Sequence, residues 1–134
     1  IRERYHLQQN VSFESFNLLN LSYINKFESI ISFETIEHFY ESDIIILLKS
    51  FYHALKHNGT LLISVPYDQK ECENAKKMGF HLTFEIDETK IQTWAELVGF
   101  KLKNYWYQNY DTHTVCKTLQ KKDFLICEMT KHEG

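Results

Sequence analysis

Between Phe27 and Pro66 the chain passes through an apolar stretch, a long amphipathic segment and a second apolar stretch. That succession predicts strand, helix and strand. Two strands joined this way lie parallel in one sheet with a right-handed crossover. The first, FESIISF over Phe27–Phe33, carries Phe27, Ile30, Ile31 and Phe33 without a helical stripe, the make-up of a buried parallel strand. In the helix, predicted over Glu41–His57, Ile44, Leu48, Phe51 and Leu55 form one apolar face. Ser42 is placed to cap it and Asn58-Gly59 to end it, with Lys56 and His57 suited to the negative end of its dipole. The second strand is TLLISV (Thr60–Val65), stopped by Pro66, the only proline.

Around this unit the expected elements are simple. Val11–Phe16 alternates apolar and polar residues and reads as a strand ending at Asn17, and Leu18–Lys26 reads as a connection. Lys70–Met78 suggests a short surface helix. Asp87–Val98, with Ile91, Trp94, Leu97 and Val98, suggests a second amphipathic helix closed by Gly99. Phe100–Tyr107 and Asp123–Thr130 read as strands that could pair antiparallel. No repeat or linker divides the chain, so residues 1–134 are expected to be one domain, long enough for one core.

Composition narrows the partners. A net charge of −3 argues against a nucleic-acid binder driven by bulk electrostatics. No apolar run approaches the ~20 residues of a membrane span, and no signal-peptide pattern opens the chain. Cys72, Cys116 and Cys127 are odd in number and widely spaced, which suggests reduced thiols in the cytoplasm, with one disulfide as the alternative. No pattern of basic neighbours marks Cys72 as a nucleophile. The start at Ile1 and the helix-like IRERYHLQQ suggest a processed chain or a fragment.

Directly after the first apolar stretch come Glu34, Glu37 and His38, side chains a buried strand would not tolerate. In open α/β sheets ligands bind beyond the carboxyl ends of the strands, so this cluster reads as a site. At spacing i, i+3, i+4 the three share one face if the chain turns helical there. The plainer alternative is that they cap and brace the loop.

FESIISFETIEHF, then LKHNGTLLISVPY, then HLTFEIDETKIQTWAELVGFKL, resembles the later two-thirds of a class I S-adenosylmethionine-dependent methyltransferase. The order holds from about Asn10 to Met129. The resemblance implies a Rossmann-like α/β sheet, mostly parallel with an antiparallel C-terminal strand. It would be incomplete here, lacking the first two strands. The family's glycine-rich loop and the acidic residue that holds the ribose have no counterpart, the only glycines being Gly59, Gly79, Gly99 and Gly134. With the family's strand order of 3-2-1-4-5-7-6, Val11–Phe16 would stand ~14 Å from the central strand, at ~4.8 Å per strand. The edge of that central strand would lie open to another chain, a route to a homo-oligomer.

The resemblance also implies roles. S-adenosylmethionine would lie against Asn17, Leu18, Phe33 and Glu34, with Asn17 where the family usually has an acidic residue near the adenine. Glu37 and His38 would orient or deprotonate an acceptor hydroxyl, and Tyr67 and His81 would face the acceptor, a small molecule or glycan precursor. His81 packing at a loop entrance is the simpler reading of that residue, and Tyr105, Trp106, Tyr107 and Tyr110 read as a strand packed on both faces. A metal reading uses Glu34, Glu37, His38 and His81 around Mg²⁺ or Mn²⁺, because E-x-x-E-H with a distant histidine is similar to the site of small-RNA 2′-O-methyltransferases. The remaining reading is a non-catalytic methyltransferase-like remnant serving as an interaction domain.

Overall fold

A computed structural model describes residues 10–15, 17–70 and 81–132. Five strands form one sheet: β1 (Phe27–Phe33), β2 (Leu55–Pro66), β3 (Phe100–Gln108), β4 (Val115–Cys116) and β5 (Phe124–Lys131), in the order β1-β2-β5-β3-β4. Helix α1 (Glu41–Ala54) crosses from β1 to β2, which pair in parallel, and α2 (Glu88–Val98) leads into β3. The antiparallel C-terminal strand is present as β5, wedged between β2 and β3. It makes the ladders on both its sides antiparallel, so direct parallel pairing is confined to β1–β2 among the described residues. β1, β2 and β3 nevertheless point the same way, and their carboxyl ends share one edge of the sheet.

The core lies where the two helices cover the sheet. Cross-strand neighbours Leu61–Met129, Ile63–Cys127 and Val65–Leu125 are fully buried on one face. Ile44, Leu47, Leu48 and Phe51 of α1 and Ile91, Trp94 and Ala95 of α2 meet them. Period-two burial along β5 matches this one-sided packing.

Several expectations need correction. Residues 11–15 form no strand, so the sheet's described edge is β1 itself. β1 is accordingly not a buried strand: Ile31 is 64% and Phe33 50% exposed. The Lys70–Met78 helix lies outside the described residues except for Lys70, which is not helical. α1 ends three residues early at Ala54, and its amino-terminal cap is Tyr40, with no side-chain hydrogen bond, rather than Ser42. Leu55 is buried as expected, but on β2. Lys56, His57, Asn58 and Gly59 also belong to β2, at an irregularity opposite Phe27–Ser29 where Asn58 takes a positive φ of 63°. On α2, Asp87 caps the start by accepting from Lys90 N at 2.9 Å, Gly99 closes it at φ 111°, and Leu97 faces solvent.

The tight spot in β2 gives the first testable consequence. A Cβ on Gly59 would stand 2.7 Å from the carbonyl oxygen of Lys56, an obstacle made of backbone. Gly59→Ala is expected to lower stability by about 1–2 kcal/mol, read as a shifted urea midpoint at constant slope.

Candidate functional site

β1 ends because the backbone turns left-handed at Glu34, at φ 50°. The Glu34 N–H donates to Ser64 O (3.0 Å) and to the Ser64 hydroxyl (3.2 Å), and that hydroxyl donates to Glu34 Oε2 (3.1 Å). The chain then makes a 3-10 turn over Ile36–His38. Buried Ile36 anchors this turn, so the next side chain, Glu37, is carried inside with it.

The segment from His81 to Asp87 is tied across this turn. Leu82 N and Thr83 N both donate to Glu37 O, at 2.9 and 3.2 Å, and the Thr83 hydroxyl donates to Phe39 O at 2.6 Å. On its other side Asp68 N donates to Ile86 O (2.7 Å) and Glu85 N to Gln69 O (2.8 Å). The strap holds His81 against His38, the rings edge to face with centroids 4.9 Å apart. His81 Nδ1 donates to Gln69 Oε1 at 2.6 Å.

Glu37 is 1% exposed, and neither carboxylate oxygen has a hydrogen-bond partner. Burial pushes its carboxyl up to about 7; its own amide and His38 pull it down, and Glu34 adds to the rise. Glu34 is also raised, chiefly by burial and against the Ser64 hydrogen bond. His81 is held below its ordinary value by burial first and then by His38. Glu37, His38 and His81 each offer a ligand atom within 4.8 Å of the others. Glu34 is not in this group, which corrects the four-residue metal set: its carboxylate accepts from Ser64 instead.

The remaining candidates lie apart from this cluster, along the side of β1 and beyond β2. Leu18 and Phe33 line one cleft of about 420 Å³ along the open side of β1, with Phe27, Ile30 and Ile31. Asn17 caps the Leu18–Asn20 turn by accepting from Leu19 N at 3.0 Å, a structural task. Tyr67 sits beyond β2 with its ring edge on Tyr107 at 5.3 Å. Burial and then Glu88 push its phenol up to about 12.

Of the neighbours of Tyr67, the sequence marked Tyr107 only as part of an aromatic strand and did not single out Glu88 or Lys122. The Tyr107 hydroxyl donates to Glu88 Oε2 at 2.5 Å, and Lys122 Nζ lies over the Tyr107 ring at 4.2 Å and the Tyr67 ring at 5.5 Å. Sequence reasoning passed over Gln69, whose only sequence signal was its place just beyond a strand end.

No family model and no curated protein matches the sequence. Solved structures do match the fold. One is the 1,6-didemethyltoxoflavin-N1-methyltransferase of Burkholderia thailandensis with its acceptor and S-adenosylhomocysteine bound: TM-score 0.74, 12% identity, 98% of this chain and 55% of that one. Another is the N-methyltransferase NodS of Bradyrhizobium japonicum with S-adenosylhomocysteine: TM-score 0.69, 16% identity, 98% and 60%. A third is the [4+2]-cyclase SpnF: TM-score 0.73, 11% identity, 99% and 60%. The chain carries the Rossmann-like fold of the class I S-adenosylmethionine-dependent methyltransferases. It spans 55–60% of the length of these three proteins.

Proposed function

We propose that this chain serves an S-adenosylmethionine-dependent methyltransferase acting on a small-molecule or glycan-precursor acceptor. One observation supports this above the others: the parallel pair β1–β2, in a methyltransferase-like sheet, delivers the Glu34–His38 turn to the edge where such sheets bind ligands. The cofactor brings a methyl group already activated as a sulfonium, so the protein's share is alignment and, for a hydroxyl acceptor, a base. Leu18 and Phe33, flanked by Asn17 and Glu34, form the cofactor side. His38 is exposed and is the group an acceptor can touch. Glu37 is shielded, so its influence on the acceptor passes through His38. Tyr67 and His81 complete the acceptor side.

The test pairs calorimetry with turnover. S-adenosylhomocysteine is expected to bind the chain, with Phe33→Ala weakening the binding. His38→Ala is expected to leave that binding intact while lowering methyl transfer to a responsive acceptor about 10²–10⁴-fold. No heat at millimolar S-adenosylhomocysteine would overturn the reading. The apolar edge at Ile31 and Phe33 favours the second reading, a non-catalytic interaction domain that assembles through β1 with another copy. That reading predicts a dimer in sedimentation that Ile31→Lys dissolves.

A further inference from the structure

We propose that Tyr107, Glu88 and Tyr67 form a binding site for an ammonium group carried by a small molecule, and that Lys122 fills this site in the free protein. The two phenol rings stand nearly at right angles, 87° apart with centroids separated by 5.3 Å, so their surfaces meet in a corner. The Lys122 ammonium lies in that corner, 4.2 Å from the Tyr107 centroid and 5.5 Å from that of Tyr67. Ring faces are negative through their π electrons, and two of them beside a carboxylate favour a cation over a neutral group of the same shape.

The carboxylate belongs to Glu88, in the first turn of α2, and accepts from the Tyr107 hydroxyl. Burial works to raise its carboxyl. The Tyr107 hydrogen bond, its own amide, Tyr67 and the Lys122 charge outweigh burial and hold it below its ordinary value, so Glu88 is an anion at neutral pH. The walls of the corner are set by backbone. Tyr67 N donates to Asp123 O (2.9 Å), Asp123 N donates to Gln108 O (3.0 Å), and Tyr107 pairs with Leu125 across the β3–β5 ladder. None of these bonds uses the Lys122 side chain, so the corner persists when that side chain leaves. Tyr107 is a buried floor, whereas Tyr67, Glu88 and Lys122 are half-buried, which gives a ligand a way in.

Position and chemistry agree on a ligand. Tyr67 directly follows β2 and Tyr107 is next to last in β3, so the corner lies at the carboxyl edge where open α/β sheets take ligands. Lys122 is an easily displaced occupant, because ring faces that water reaches hold a lysine weakly on its flexible stem. A ligand ammonium offers the same charge, and methyl groups on its nitrogen add contact with the rings. Ammonium binding stands on this geometry alone; that the occupant is the methyl acceptor, anchored by its charge, rests on the methyltransferase reading.

The test uses the whole chain without cofactor. Choline is titrated into the parent protein and into Lys122→Gln, followed by calorimetry and by NMR of the tyrosine rings. The control is its neutral analogue with carbon in place of the nitrogen. Choline is expected to bind saturably and the neutral analogue not to bind. Lys122→Gln should hold choline about 2–30-fold more tightly, because the ligand no longer competes with the lysine for the rings. Within that variant Glu88→Gln should weaken choline about 2–5-fold, and Tyr67→Leu should weaken it as well. No saturable choline binding in either protein would overturn the proposal. So would equal binding of the neutral analogue, or weaker choline binding by Lys122→Gln than by the parent. S-adenosylhomocysteine is absent throughout, so a failure here leaves the methyltransferase reading standing, and a failure of that reading leaves this site standing.

Discussion

Glu37→Gln is expected to be more stable than the parent protein above neutral pH, by about 2–3 kcal/mol. The folded carboxyl titrates near 7, while in the unfolded chain it returns to the ordinary value of about 4.5. Between these values the folded protein holds a proton that the unfolded protein has released, so stability falls as pH rises through the window. The loss is complete above about pH 7 and absent below about pH 4.5. Glutamine keeps the shape and cannot ionise. The stability difference between the two proteins should therefore be smallest below about pH 4.5, grow between there and about pH 7, and level off above. His81, depressed by burial and by His38, loses stability in the opposite sense, as pH falls through its range. It titrates in both proteins and largely cancels in the difference. Urea unfolding at intervals from about pH 5 to pH 8 measures the divergence. Parallel profiles would mean that Glu37 is ionised in the folded protein at neutral pH.

The strand–helix–strand unit was legible because its signals are local. Period and polarity mark β1, α1 and β2 within one or two turns, and Asp87 and Gly99 bracket α2 as a cap and a stop should. Failures came where tertiary pairing overrode a local rule. Asn58-Gly59 has the make-up of a helix terminator, yet β2 draws Leu55–Gly59 into the sheet and uses the pair for an irregularity beside β1. Exposure was misjudged for the related reason that an apolar run does not say how many strands flank it. β1 looks like a central strand and is the described edge.

The site divides in the same way. Glu34, Glu37 and His38 could be found because they interrupt an apolar pattern at a strand end, and the fold confirms that place. Which of them is sealed inside could not be found: buried Ile36 directs Glu37 inward, and among the described residues the strap from residue 81 onward is bonded to the Glu37 backbone. Glu88 and Lys122 come from separate parts of the chain, so no local spacing places them beside Tyr107, which the aromatic run marked only as part of a strand. Lys131 is similar. It ends a strand expected to stop at Thr130 and is 3% exposed, with Nζ donating to Leu55 O at 2.9 Å and Asn25 Oδ1 at 3.1 Å. A buried lysine is rare enough that sequence reasoning rightly bets against it.

Trp94→Ala is expected to cost about 3–5 kcal/mol, enough to threaten folding. Trp94 is 2% exposed, and its Nε1–H donates to Glu41 Oε1 at 3.2 Å, tying α2 to the first residue of α1. Both helices adjoin the site: α1 begins three residues after His38, and α2, which carries Trp94 in its second turn, begins directly after the strap that ends at Asp87. The indole therefore fixes the spacing between the turn bearing Glu37 and the segment bearing His81, as well as filling the core. Trp94→Phe separates the two contributions. It keeps most of the buried area and loses the hydrogen bond, so its stability should fall by only about 1–2 kcal/mol. If the tie positions the strap, the phenylalanine protein will fold cooperatively and yet lose amide-exchange protection at Leu82 and Thr83, whose N–H groups bond to Glu37 O. Unchanged protection at those two amides would leave the indole with packing alone.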